Sequence, residues 1–183
     1  MIVWALAMGA LNAMAGVTAG EAAPDFSAPD SGGKTQKLSD YKGKYVVLEW
    51  TNPGCPFVKR HYETQNMQNV MKAAEAKGAV WLTVSTKHPD VDWNKWTKDN
   101  GATPTAVLLD NSGSLAREFG AKTTPHMFVI GPDGKVIYEG AIDDNPNDAK
   151  GAKNYVLTAL EEAQAGKPVT KTDTKPYGCG VHY

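Results

Sequence analysis

The sequence predicts an α/β fold, a central mixed β-sheet sandwiched by helices. Three observations predict it. Short apolar runs alternate with segments of helical period, the pattern of a sheet covered on both faces. The run Val46-Val47-Leu48 is continuously apolar, as suits a strand buried on both sides. Near the C-terminal end, Gly131-Pro132-Asp133-Gly134 joins two apolar runs as a hairpin turn, so part of the sheet is antiparallel.

The elements follow in order. Ala23 to Leu38 turns at Ser31-Gly32-Gly33, which predicts an N-terminal β-hairpin extension. Residues 39–44 are a polar connector, and residues 45–50 form the first central strand. A helix is expected from Cys55 to about Lys77. Met67, Val70, Met71 and Ala74 fall on one face of it, and Gly78 closes it. Residues 80–85 are the second central strand. Trp93 and Trp96 mark a short helix ending before Gly101. Residues 105–109 form a short strand. Leu115 and Phe119 lie on a helix stopped by Gly120. Residues 126–130 and 135–140 are the hairpin strands. Val156, Ala159, Leu160 and Ala163 give a closing helix over residues 148–165, ended by Gly166 and Pro168. The tail, residues 167–183, is expected to be mobile around Gly178-Cys179-Gly180.

Composition bounds the function. The 183 residues are 42% hydrophobic and 21% charged, enough for one packed domain. A formal net charge of -1 without a basic stripe argues against a nucleic-acid partner or an anionic membrane surface. Residues 1–15 are apolar and small and end in Ala13-Met14-Ala15, the form of a signal-peptidase site. They are expected to be a signal peptide; because no Lys or Arg precedes the apolar run, it is either clipped at its start or an unusual signal beginning at Met1. Residues 16–22 then read as a flexible mature N-terminus, in a secreted or periplasmic protein with no stable membrane insertion after signal removal.

The chemistry centres on Cys55, one of two cysteines. A strand stops at Asn52-Pro53-Gly54, and Cys55-Pro56 opens a helix. Proline suits the first helical turn, where its missing N–H had no partner. A thiol there lies beside unpaired N–H groups and the positive end of the helix dipole, and both favour the nucleophilic thiolate. Glu49 lies inside the preceding apolar strand. Burial of its carboxyl should raise its pKa and make it a proton relay near the thiol; the alternative is a pairing with a lysine at the sheet edge. Thr124-Pro125, directly before an apolar strand, is a place for a cis peptide. Cys179, flanked by Gly178 and Gly180, is a candidate resolving thiol for Cys55.

Together these residues resemble the thioredoxin fold in its alkyl hydroperoxide reductase/thiol-specific antioxidant branch, the redoxins. The resemblance covers about residues 23–165. It rests on Ala23-Pro24-Asp25-Phe26, on Cys55 as the first cysteine, on Glu49 as the buried acid, and on Thr124-Pro125 as the cis-proline loop. Gly140-Ala141-Ile142-Asp143-Asp144 and Tyr177-Gly178-Cys179 are similar to an uncharacterised peroxiredoxin-like subgroup. The resemblance implies a redoxin domain over residues 23–166. It implies a substrate groove around Asn52, Gly54, Pro56, Thr124 and Pro125, and antioxidant or disulfide-exchange activity on a protein or small-molecule disulfide or thiol, or on peroxide. Val58 stands where a second thioredoxin cysteine would be, so no Cys-x-x-Cys pair forms. Leu48 and Asn52 stand at the proline and the threonine or serine of the peroxiredoxin pattern. Thr51, Asn52 and Arg60 are then the candidate donors to a peroxide oxygen.

No cofactor and no metal ligand set is assigned. The competing reading is a non-enzymatic copper or zinc binder using both thiols with His126 and His182. His61 reads as a solvated helix residue, and His88 as loop.

Overall fold

The computed structural model describes residues 16–148 and 151–183, so the signal-peptide expectation for residues 1–15 lies outside the described residues. The central sheet has five strands in the order β5-β4-β3-β7-β8. They are β3 (Val46–Thr51), β4 (Val80–Thr86), β5 (Ala106–Asp110), β7 (His126–Ile130) and β8 (Val136–Gly140). β3, β4 and β5 are parallel. β7 runs antiparallel to β3, and β8 antiparallel to β7. The mixed sheet is the one the terminal hairpin required.

Strand alternation divides the core in two. Val46, Leu48 and Trp50 face one side, with Phe26, Leu115, Phe119 and Phe128. That side is covered by α4 (Ser114–Phe119) and by the hairpin of β1 (Ser27–Pro29) and β2 (Thr35–Lys37). Val47 faces the other side, with Tyr62, Met71, Trp81, Met127 and Leu160. There the cover is α1 (Pro56–Glu63), α2 (Asn66–Ala76) and α5 (Tyr155–Gln164). α3 (Trp93–Asp99) adds Trp93 and Trp96 beside Tyr62, the last two rings 4.6 Å apart. Among the described residues, no helix is long and apolar enough to cross a membrane.

The structure corrects four expectations. The helix expected over residues 55–77 is two helices. Gln65 takes a left-handed φ of 62° between them, and Thr64 Oγ1 donates to the Arg60 carbonyl at 2.7 Å. Continuing the period of Val58 and Tyr62 would bring residue 65 or 66 to the core. The apolar residues actually resume at Met67, Val70 and Met71, and the kink supplies the change of phase. The closing helix starts at Tyr155 rather than 148, where the Asn154 side chain accepts from the Leu157 N–H at 2.9 Å.

The start of the described chain is not loose. Gly20 N–H donates to Val136 O, Val136 N–H donates to Glu21 O, and Val17 is buried. The tail is also held. Glu139 N–H donates to Thr172 O, Thr174 N–H donates to Glu139 O, and Thr174 Oγ1 accepts from Ala141 N–H. Its last part forms β9 (Cys179–Gly180), antiparallel to β6 (Thr123–Thr124). Val181 N–H then donates to Lys122 O. The glycines flanking Cys179 suggested mobility; the tail is held instead by backbone pairing and by Val169, Tyr177 and Val181 packed on the core, partners distant in the chain.

Gln65 is exposed, and a non-glycine residue in the left-handed region costs about 1 kcal/mol or more. Gln65→Gly is therefore expected to stabilise the protein by about 0.5–1 kcal/mol, after the entropy that glycine adds to the unfolded chain. The measurement is a urea denaturation midpoint, which should rise at constant slope.

Candidate functional site

Cys55 is the N-cap of α1, in extended backbone, with Pro56 in the first helical turn. The loop before it is shaped by one residue. Asn52 Oδ1 accepts from Gly54 N–H at 2.7 Å, and Asn52 O accepts from Cys55 N–H at 3.0 Å. Those bonds turn β3 sharply into the helix. Opposite lies Thr124-Pro125, whose peptide bond is cis as expected, and Cys55 Sγ–H donates to Thr124 O at 3.0 Å. Gly54 and Pro56 are exposed beside the thiol.

Cys55 itself is only 1% exposed. The cover is the tail. Cys179 pairs with Thr124 in register, the same residue that meets the Cys55 sulfur. Gly178, at φ 138°, lies so close that a Cβ on it would stand 2.0 Å from Thr124 O. Glycine is thus required for the approach. Burial by itself raises the Cys55 pKa. The Cys179 thiol, the Val58 N–H, the Thr124 side chain and the Cys179 backbone outweigh it, and the net direction is down. Cys179 moves the other way, pushed up to about 11 by burial and then by Cys55. The two sulfurs are therefore unequal: Cys55 is the readier anion, Cys179 its proton-bearing neighbour.

Glu49 is fully buried on β3. It meets no lysine. Its carboxyl accepts from Tyr62 Oη at 2.9 Å, from Trp81 Nε1 at 3.1 Å and from Thr83 Oγ1 at 3.1 Å. Burial lifts its pKa to about 7 against those three donors. Glu49 makes no hydrogen bond with Cys55; Tyr62 connects it to the helix that Cys55 caps.

His61 is not solvated. It is fully buried on the face of α1 that also carries Val58 and Tyr62. Its spacing from Val58 was the signal in the sequence that could have shown this. Asn66 Nδ2, which can only donate, lies 2.8 Å from His61 Nδ1, so Nδ1 accepts and Nε2 carries the hydrogen. Nε2–H then donates to Tyr177 Oη at 3.0 Å, and Tyr177 O–H donates to Asp143 Oδ1 at 2.5 Å. Burial lowers the His61 pKa to about 4, with Arg60 adding to it, so the ring is neutral at pH 7 and forms no ion pair with Asp143. Arg60 lies over the Phe57 ring at 5.3 Å, on the side of Tyr177 and Asp143, and so is not placed as a donor at Cys55. His126 is buried. Its Nδ1 accepts from Lys122 N–H at 3.1 Å, and its Nε2 faces Glu139 at 3.6 Å. Among the described residues there is no group of three or more His, Cys, Asp or Glu side chains that could hold a metal ion.

The sequence matches the AhpC/TSA family over residues 19–139, a span that runs from before the N-terminal hairpin into β8. The chain belongs to the AhpC/TSA family. This AhpC/TSA protein is similar to thiol-disulfide oxidoreductase ResA of Geobacillus thermodenitrificans (strain NG80-2), 28% identical over 120 residues, 66% of this chain and 67% of the relative. It is similar also to peroxiredoxin Bcp of Bacillus subtilis (strain 168), 32% identical over 104 residues, 55% of this chain and 62% of that one. The chain thus aligns with about two thirds of the length of these relatives. An uncharacterised conserved protein from Geobacillus kaustophilus shares the fold at a TM-score of 0.80 and 23% identity, over 90% of this chain and 92% of that one. A putative thiol:disulfide interchange protein DsbE from Chlorobium tepidum superposes at 0.57 and 30% identity, over 67% and 84%. The fold is thioredoxin-like, and the protein is a thiol-based oxidoreductase, a redoxin.

Two buried groups of this redoxin oppose each other in pH. Glu49 titrates higher folded than its ordinary value of 4.5, so its contribution is complete below pH 4.5 and is lost as pH rises to about 7. His61 titrates lower than its ordinary 6.5, so its contribution is complete above pH 6.5 and is lost as pH falls to about 4. The two slopes offset between. Glu49→Gln removes one of them. Relative to the unchanged protein, its unfolding free energy is expected to gain about 3 kcal/mol between pH 4.5 and 7, read by denaturation at each pH.

Proposed function

We propose that this protein exchanges disulfides through a Cys55–Cys179 pair. The observation that carries the proposal is the pairing of Cys179 with Thr124 directly over the Cys55 sulfur. The Cys55 thiolate attacks one sulfur of a substrate disulfide. A Cys55–substrate bond forms, and the other substrate sulfur leaves as a thiolate. Cys179 gives its proton to a departing thiolate and attacks the Cys55 sulfur. The Cys55–Cys179 bond forms, and the second substrate sulfur leaves. Two protein thiols are oxidised and one disulfide is reduced to two thiols. The names of ResA and DsbE support this direction of reading.

Glu49 is the proton reservoir of the scheme, since a carboxyl titrating near 7 can hold or release a proton at working pH. Asn52, Gly54, Pro56, Thr124 and Pro125 form the rim a substrate would meet, and Pro125 bars other approaches to the sulfur. The expected partners are protein or small-molecule disulfides. The expected place is secreted or periplasmic, where such a bond persists.

Peroxide reduction is the second reading, favoured by the near-complete burial of Cys55, which admits a small oxidant more readily than a folded partner. There the thiolate takes one oxygen, hydroxide leaves, and Cys179 displaces water from the sulfenic acid. The name of Bcp fits this reading. Against it, Arg60, one of the candidate donors, lies over the Phe57 ring.

Reduced protein treated with excess oxidised glutathione is expected to lose both thiols as one intramolecular disulfide, mapped by peptide mass. Cys179→Ser should stop at a Cys55–glutathione adduct. Cys55→Ser should lower disulfide-reductase activity at least a hundredfold. Persistence of both thiols with oxidised glutathione, together with fast loss to hydrogen peroxide, would transfer the assignment to the second reading.

A further inference from the structure

The tail is fixed on both sides of Tyr177. Upstream, Thr172 and Thr174 pair with Glu139 of β8. Downstream, Cys179 and Gly180 pair with β6. Between them, the Tyr177 hydroxyl is inserted between Asp143 and His61, two side chains that are 2% and 0% exposed. The ring rests 5.9 Å from Phe57. His61 and Phe57 both belong to α1, the helix that Cys55 caps.

We propose that Tyr177 is the positioning residue that delivers Cys179 to Cys55, clamping the tail to the helix of the nucleophile. The inference rests on the disulfide-exchange reading of the same pair. The hydrogen-bond directions support it. Asn66 donates to His61, His61 donates to Tyr177, and Tyr177 donates to Asp143, so every member of the chain is satisfied in one sense only. The group at the centre must both accept from the imidazole and donate to the carboxylate, which the Tyr177 hydroxyl does and a phenyl ring cannot.

The clamp controls Cys179 because the tether after it is short. Two extended residues reach at most about 7 Å. Gly178 is the single residue between clamp and thiol, and its φ of 138° is the turn that directs Cys179 onto Thr124. When β9 separates to admit a substrate, Tyr177 still holds Cys179 within a few ångströms of Cys55. That is a high effective concentration for the resolving step. The same clamp keeps the lid over Cys55 in the reduced protein. It therefore speeds resolution and slows first attack.

Those opposite effects give the test. The Cys55–Cys179 disulfide is equilibrated with reduced and oxidised glutathione, and the equilibrium constant is read from thiol counts. Tyr177→Phe keeps the ring and removes the hydroxyl. Its constant is expected to fall about tenfold, the scale of one or two lost hydrogen bonds to buried charged or polar partners. In a Cys179→Ser background, Tyr177→Phe is expected to raise the rate of Cys55 alkylation by iodoacetamide several-fold. A merely structural tyrosine would lower stability without moving these two readouts in opposite senses. Asp143→Asn, which keeps an oxygen acceptor, should lower the constant less, and the double variant should cost less than the sum of the two. An unchanged constant in Tyr177→Phe, or additive effects in the double variant, overturns the clamp. Failure of the unchanged protein to form the disulfide at all overturns the exchange reading instead.

Discussion

The short ladder between Thr123–Thr124 and Cys179–Gly180 governs the site. It brings a second sulfur over a first that has no partner at the next helical turn, since Val58 stands there. It also covers Cys55. A ladder of this size, with one more bond from Val181 N–H to Lys122 O, is worth only a few kcal/mol net. A cover of that strength opens in a small fraction of molecules at any moment, which suits a thiol that must be both protected and reachable.

Two buried titratable groups frame the helix that carries Cys55, and they are buried in opposite senses. Glu49 is retained in the sheet by three donors, so its cost is desolvation of the anion, and its pKa rises. His61 is retained by Asn66 and Tyr177, so its cost is desolvation of the cation, and its pKa falls. Tyr62, adjacent in sequence to His61, reaches the Glu49 carboxyl. One helix thus ties the buried Glu49 carboxyl in the sheet to the network that holds the tail.

Legibility in the sequence followed the range of the interaction. The strands could be read because Val46-Val47-Leu48 and Met127-Phe128-Val129 are buried on both faces whatever else surrounds them. Cys55 could be read because a Pro-Gly turn and a helix start are local. The kink at Gln65 was missed, since the change of phase shows only when the apolar residues on both sides are seen to face one sheet. His61 reads as solvated beside Arg60, although its three-residue spacing from Val58 puts it on the buried face of the helix. The tail was misplaced because its order comes from partners far away in the chain, Glu139 and Thr124.

The sequence alone determined the α/β class, the strand–turn–helix at Cys55, the cis-proline candidate and the buried acid at 49. Each depends on neighbours within one element, where period and backbone chemistry act directly. Tertiary structure alone decided that Cys179 lies against Thr124, that Tyr177 joins His61 to Asp143, and that Cys55 is covered. Those contacts close loops of many tens of residues, and hydrogen bonds between distant polar groups carry no periodic trace in the chain.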